Sequence, residues 1–189
     1  MSGELIIKSA PQKLSVKVQT IAALSAIVSA VALPQVFHGL GAVSDLGTLL
    51  GEAFLPMHLP IILVGLLAGP YAGAISGIMA PLISFMLSGM PRAAMLPFMM
   101  IELCAYGFFA GLLKNVKLPS LAKVVTVQTA GRVVRAAAIL LAVYGFGSTA
   151  VPVAVIWKSI LTGLPGIVLQ WCLLPLTVFW VENRSKNEQ

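Results

Sequence analysis

The chain has 189 residues, of which 59% are hydrophobic and only 10% are charged, and its mean hydropathy is +0.99. A soluble domain needs a polar surface, so this composition excludes one and indicates an integral membrane protein in a lipid bilayer. The net charge of +6 does not indicate nucleic-acid binding, because the basic residues are scattered beside apolar stretches and form no patch with interleaved aromatic residues.

Glycine, proline and charged residues divide the chain into six apolar segments, which predict an all-α protein with six transmembrane helices. The segments lie at residues 15–36, 57–69, 71–88, 94–113, 120–145 and 152–180. The second is short for a bilayer, which takes about 20 helical residues, so we expect it to begin earlier or to run kinked. The loops are too short to fold independently, so we expect one domain over residues 1–189, with an N-terminal segment 1–14 and a tail 181–189.

Basic residues predict the orientation of these helices. Eight of them flank the side that carries both termini: Lys8, Lys13, Lys17, Lys114, Lys117, Lys123, Arg184 and Lys186. The opposite side has only Arg92, and its longest loop holds Asp45 and Glu52. The positive-inside rule therefore places both termini in the cytoplasm.

The first segment carries alanine at every fourth position, at Ala22, Ala26 and Ala30. Small residues at this spacing let another helix approach closely in lipid, and that helix can belong to a partner or to the same bundle. A secretory signal peptide is a competing interpretation, because the lysines, the apolar core and the sequence SAVA at residues 29–32 resemble its three regions.

Glycines at a spacing of four form a second ridge, which we expect to pack helices inside the bundle. They are Gly65, Gly69, Gly73 and Gly77, with Gly107 and Gly111 in the fourth segment.

Pro56, His58 and Pro60 stand together where the second segment begins. Because proline lacks a backbone donor, we expect a bent chain there, on the outer side of the membrane. His58 could hydrogen-bond freed backbone groups or contact a ligand, and the structural role is favoured because no second histidine or cysteine at metal-ligand spacing accompanies it. We expect no metal site, and we expect His38 to lie in a loop. Cys104 and Cys172 fall in apolar segments and indicate no disulfide framework.

Four ionisable residues lie inside the predicted spans: Glu102, Arg132, Arg135 and Lys158. Each costs about 2.5–3.5 kcal/mol at a helix centre, so each needs a partner, water or a function. Gln128, Arg132 and Arg135 share one face of the fifth helix because they are separated by four and three residues. Glu102 and Tyr106 likewise share a face of the fourth helix.

The sixth segment carries a third polar face, at Lys158, Thr162, Gly166 and Gln170, interrupted by Pro165. Three consecutive helices can therefore direct polar side chains into one interior, from the midplane outward. Three cations against one carboxylate leave a positive surplus, which predicts a site for a small anion. The alternative is that Glu102 pairs with one arginine structurally while Lys158 extends outward to water.

The whole pattern resembles the S components of energy-coupling factor (ECF) transporters, in the branch that takes up vitamins. The stretches that carry the resemblance are FLPMHLPIILVGLLAGPYAGAISGIMAPLISFMLSGMP, IELCAYG, GRVV and TGLPGIVLQWCLLP. It implies a six-helix bundle that captures a vitamin or vitamin precursor from outside a prokaryotic cell and then topples in the membrane to release it. The implied partners are a transmembrane scaffold (T) subunit and two ATPases.

The resemblance also implies roles for particular residues. The family's alanine motif, which docks the scaffold subunit, maps onto Ala22, Ala26 and Ala30. Its binding region maps onto Glu102, Tyr106, Arg132 and Lys158, while Arg135 has no counterpart in the family pattern. This chain has no G-x-x-x-x-G-K-[ST] phosphate loop, so we expect ATP to be used by partner subunits and no cofactor in this chain.

The cation surplus makes pantothenate or another small anion our first expectation for the substrate, followed by a pyridoxine-like or hydroxymethylpyrimidine-like compound. Two other functions stay open. One is a stand-alone permease, against which the missing internal repeat argues. The other is an intramembrane hydrolase built on Ser76 and His58, although small residues beside glycine are already explained by packing.

Overall fold

The computed structural model describes residues 14–187, without the side chains of residue 182 and residues 185–187. This part of the chain is helical and contains no strand. Six of its segments are long and apolar enough to cross a membrane, which confirms the predicted fold class. Lys8, Lys13, the side chain of Lys186, residues 1–13 of the predicted segment 1–14 and residues 188–189 of the predicted tail lie outside the described residues.

Eight α-helices follow one another in the described chain: α1 (Val16–Val43), α2 (Leu49–Phe54), α3 (His58–Ala68), α4 (Pro70–Ser88), α5 (Leu96–Leu113), α6 (Ser120–Leu140), α7 (Val155–Thr162) and α8 (Leu164–Asn187). A π-helical turn, Leu141–Gly145, continues α6. The six spans are α1, α2 with α3, α4, α5, α6 with its π turn, and α8 up to residue 181. Both ends of the described chain therefore lie on the same side of the bundle.

The second span is interrupted between α2 and α3, as its short apolar run predicts. Leu55 has a left-handed backbone, with φ 49° and ψ 48°, and ends α2. Pro56 follows, and α3 begins at His58, whose backbone N–H donates to the carbonyl of Leu55 at 3.1 Å. Pro60 falls in the first turn of α3, where its missing donor would have no helical acceptor. The earlier start at Leu49 and the predicted bend are both confirmed.

The sixth predicted span is wrong at its outer end. Residues 155–162 form the separate helix α7, and the membrane-spanning part begins only at Leu164. The helix breaks at Gly163 because Pro165 has no N–H to donate to the carbonyl of Leu161. Pro165 itself lies in the first turn of α8. Lys158 therefore lies on α7, exposed and outside the span, which corrects its predicted depth in the membrane.

Glycines bring α4 and α5 into close contact. A side chain on Gly73 would overlap the backbone of Gly107, and a side chain on Gly111 would overlap Pro70. Gly77 meets the backbone of Leu103 in the same way. These glycines thus pack α4 against α5 inside the bundle, as predicted, whereas Gly69 lies between α3 and α4, where an added side chain would meet no atom.

The alanine ridge of α1 also faces the chain's own helices. Ala26 is 7% exposed and Ala30 is fully buried, while Ala22 is partly buried. Ala26 packs in a cluster with Val64 of α3 and Ala72 of α4. The ridge therefore serves packing within the bundle in this structure. Docking of a scaffold subunit on it stays a prediction, and it would require α1 to uncover part of this face.

The substitution Gly73→Ala should destabilise the protein because its new methyl group meets backbone atoms that cannot move aside. We expect a loss of about 1–3 kcal/mol in the free energy of unfolding. Gly39→Ala in α1 is the matched control, because a Cβ at Gly39 has no atom within 4 Å. Thermal unfolding in detergent measures both, and equal melting temperatures would contradict the close packing of α4 and α5.

Candidate functional site

A cavity of about 440 Å³ lies at the end of the bundle opposite the chain termini. Its walls come from the last turns of α1, from α2 and the start of α3, from the connection between α4 and α5, and from α5, α6 and α7. Its titratable lining residues are His38, Glu52, His58, Arg92, Glu102, Arg135 and Lys158. This volume is in the range of cavities that hold small organic ligands.

Glu102 is the most buried charged residue of this site, with 1% of its surface exposed. Its Oε1 accepts a hydrogen bond from the Tyr106 hydroxyl at 2.9 Å, and its Oε2 accepts one from Arg135 Nη1 at 2.9 Å. Tyr106 lies one turn after Glu102 on α5, and its ring fits against Gly131 of α6, where a side chain would collide with it. The polar faces of α5 and α6 therefore meet in the interior.

The two arginines of α6 occupy different positions. Arg135 pairs with Glu102 and lines the large cavity, although the resemblance gave it no role. Arg132 does not line the large cavity. It borders a separate space of about 10 Å³ together with Glu102 and Arg135, and its Nε, like that of Arg135, is buried without a hydrogen-bond partner among the described residues.

His58 is the first residue of α3 and is buried in the wall of the large cavity, with 5% of its surface exposed. Its ring lies 5.3 Å from the ring of Tyr106, measured between centroids. Its Nδ1 has no hydrogen-bond partner in the described part of the chain. That nitrogen therefore does not bond the backbone groups freed at Pro56, and contact with a ligand stays a prediction.

The rim of the cavity carries Lys158 and Arg92, both exposed. Sequence reasoning missed several other lining residues. His38 is not in a loop, because α1 continues to Val43, and it faces the cavity with Glu52. Four methionines also line it: Met57, Met90, Met95 and Met99. The concentration of methionine between residues 86 and 100 is the signal that could have found three of them.

A series of hydrogen bonds through two buried glutamine side chains ends at Leu55, which lines the cavity. Trp171 Nε1 donates to Gln128 Oε1 at 2.7 Å, and Gln128 Nε2 donates to Gln170 Oε1 at 2.8 Å. Gln170 Nε2 in turn donates to the carbonyl of Leu55 at 3.3 Å. These hydrogen bonds join α6 and α8 to the break between α2 and α3. Lys158 and Gln170 are thus separated: Lys158 lines the cavity, whereas Gln170 is buried in α8 and does not line it.

The proposed hydrolase pair does not form. Ser76 is fully buried, and its hydroxyl donates to the carbonyl of Ala72 at 2.7 Å and lies 3.3 Å from that of Ala23. These bonds direct Ser76 toward α1, whereas His58 faces the cavity. Among the described residues no group of histidine, cysteine, aspartate or glutamate side chains could hold a metal ion.

The six spans and the ligand-sized cavity at one end define a multi-pass membrane protein with a binding site for a small molecule. Residues 17–178 match the family model of the ECF transporter, substrate-specific component, so the chain belongs to this family. No curated protein and no solved structure matches the chain.

Membership of this family makes the protein a substrate-binding subunit of an ECF transporter, which associates with T and ATPase components. Subunits of this kind bind and transport, and they are not enzymes. Helix α1 falls within the matched residues and packs against α3 and α4, which favours a permanent membrane helix over a signal peptide.

Replacing Gln170 by leucine should lower the free energy of unfolding by about 1–3 kcal/mol, because it leaves the Gln128 amide without its buried acceptor. Gln35→Leu is the matched control, since Gln35 is exposed and bonds only Ser88 at 3.1 Å. Thermal unfolding of both variants checks this. Equal, small changes in melting temperature would contradict the structural role of the hydrogen bonds between Gln128 and Gln170.

Proposed function

We propose that this protein captures a small organic anion, a vitamin or vitamin precursor, from outside the cell for an ATP-driven importer. Pantothenate is the first candidate, and a pyridoxine-like or hydroxymethylpyrimidine-like compound is the alternative. The observation that carries the proposal is the excess of positive charge among the side chains that line the large cavity.

Three cations and two carboxylates line the cavity, so one positive charge is in excess: Arg92, Arg135, Lys158, Glu52 and Glu102. Glu102 is already held by Arg135, and Glu52 accepts the Thr48 hydroxyl at 3.2 Å. Arg92 and Lys158 are exposed at the rim, where their charges attract anions from water. Arg135, with a side chain 12% exposed, stands deeper and can make a charge-assisted hydrogen bond to a bound carboxylate.

The break in the second span adds to this preference. Helix α3 has eleven residues and begins at His58 in the cavity wall, so the positive end of its dipole lies at the cavity. Interrupted membrane helices use such N-termini to bind anionic groups of substrates. The buried Nδ1 of His58, which has no hydrogen-bond partner among the described residues, lies at this same helix end.

The rest of the lining suits the apolar part of such a molecule. The four methionines are flexible and polarisable, and they adapt to irregular ligand shapes. Pantothenate combines a carboxylate with an apolar dimethyl group and hydroxyls, which matches a mainly apolar cavity with few polar groups.

The assembly and location follow the same proposal. A T subunit and two ATPases would hydrolyse ATP, so this chain would need no cofactor of its own. By the positive-inside rule the cavity would open to the outside of a prokaryotic cytoplasmic membrane, with both termini in the cytoplasm.

Native mass spectrometry of the detergent-purified protein, followed by titration with pantothenate, tests the substrate. Arg135→Gln should weaken pantothenate binding about 10-fold to 100-fold, because it removes a hydrogen bond to a charged group. Lys117→Gln, in an exposed loop on the far side of the membrane, is the control and should bind normally. A protein that binds neutral vitamins and ignores pantothenate would refute the anionic substrate.

Uptake measurements separate the importer from a stand-alone permease. Proteoliposomes with this chain alone should accumulate no pantothenate, whereas addition of the T and ATPase subunits with ATP should produce uptake. Ser76→Ala should leave that uptake unchanged within about twofold, since the Ser76 hydroxyl bonds only backbone carbonyls. ATP-independent accumulation by this chain alone would establish a permease instead.

A further inference from the structure

The second arginine of α6, the half-buried Arg132, is not used by the ion pair that joins α5 and α6. It lies three residues before Arg135 on α6, inside the fifth span. It makes no salt bridge or side-chain hydrogen bond among the described residues, and its Nε is buried. A guanidinium in this position within a membrane is costly unless an anion can reach it.

The charges of the side chains around Glu102 do not balance. One buried carboxylate faces two guanidiniums, those of Arg132 and Arg135. An anionic ligand at Arg135 would restore neutrality, with two guanidiniums facing two anions. If Arg135 stayed bonded to Glu102 and also bound the ligand, however, one cation would pair with two anions, and Arg132 would pair with neither.

The geometry lets Arg132 take the place of Arg135 beside Glu102. Residues three apart on a helix project to one side, about 5–6 Å apart at Cβ. Arg132, Arg135 and Glu102 all border the same small space, which is about the size of one water molecule. Arg135 borders the large cavity as well, whereas Arg132 does not. Arg135 can therefore turn to a ligand, whereas Arg132 shares with Glu102 only the small space.

We propose that Arg132 is the reserve partner of Glu102. When the anionic group of the substrate binds Arg135, the guanidinium of Arg132 turns to Glu102 and replaces Arg135 there. This inference rests on the anionic substrate proposed above. Arg132 thereby acts as a positioning residue, which gives anionic ligands an advantage over neutral ones although it never touches them.

A stability cycle on the ligand-free protein tests the exchange without knowledge of the substrate. Arg132→Gln should leave the melting temperature unchanged or raise it, because it removes a half-buried cation that has no carboxylate partner among the described residues. Arg135→Gln should lower it only slightly, because Arg132 then pairs with Glu102. The variant that combines Arg132→Gln and Arg135→Gln should have a melting temperature at least about 4 °C lower than the sum of the two single effects predicts, because Glu102 is left without a cation.

Two further variants keep this cycle decisive. Adding Glu102→Gln to the double variant should restore most of the lost melting temperature, because no unpaired carboxylate remains. If the double variant does not accumulate, the triple variant should accumulate. Lys117→Gln combined with Arg135→Gln is the control for charge removal at a distance, and its effects should add. Additive effects in the arginine cycle would overturn the proposal.

Ligand titration supplies a second measurement, with pantothenate and its neutral alcohol analogue panthenol as probes. Arg132→Gln should weaken pantothenate binding about 10-fold and leave panthenol binding unchanged, and Arg132→Lys should recover part of the loss. Equal weakening for both probes would mean a merely structural role and overturn the exchange. A wild-type protein that prefers panthenol would instead refute the anionic substrate, while the stability cycle would still decide whether Arg132 replaces Arg135.

Discussion

A carboxylate inside a membrane must be paired, and Glu102 obtains its partners from two different helices. Tyr106 reaches it from the next turn of α5, and Arg135 reaches it from α6. The pair fixes how these helices face one another and forms part of the cavity wall. It also leaves Arg132 without a carboxylate partner among the described residues, so two guanidiniums of α6 stand beside one carboxylate.

The cavity depends equally on two interruptions of the helices, at Leu55 and at Gly163. Irregular backbone is tolerated at membrane depth only where protein or a water-filled cavity satisfies it. The carbonyl of Leu55 accepts bonds from the His58 backbone and the Gln170 side chain, and Gly163 leaves space for the Leu55 side chain. The two interruptions therefore support each other, and together they place α7 and the start of α3 around the cavity.

Family membership and site chemistry answer different questions about this protein. The family establishes a substrate-binding subunit, but the same fold can hold many ligands. The choice among ligands depends on the residues of this chain: the cations at the rim, the methionines of the lining and the arginine pair of α6. The resemblance maps the binding region onto residues that include Arg132 and gives Arg135 no counterpart, whereas in the structure Arg135 borders the large cavity and Arg132 does not.

The sequence by itself determined the six spans, the interruption at Pro56, the glycine packing and the inward faces of Glu102 and Gln128. Each of these follows from hydropathy, from a missing backbone donor or from helical periodicity, which are local properties. Only the tertiary structure decided which arginine pairs with Glu102, that Lys158 lies on the separate helix α7, and that His38 faces the cavity. Periodicity gives the face on which a residue lies, but the rotation and relative depth of two helices depend on how their side chains pack.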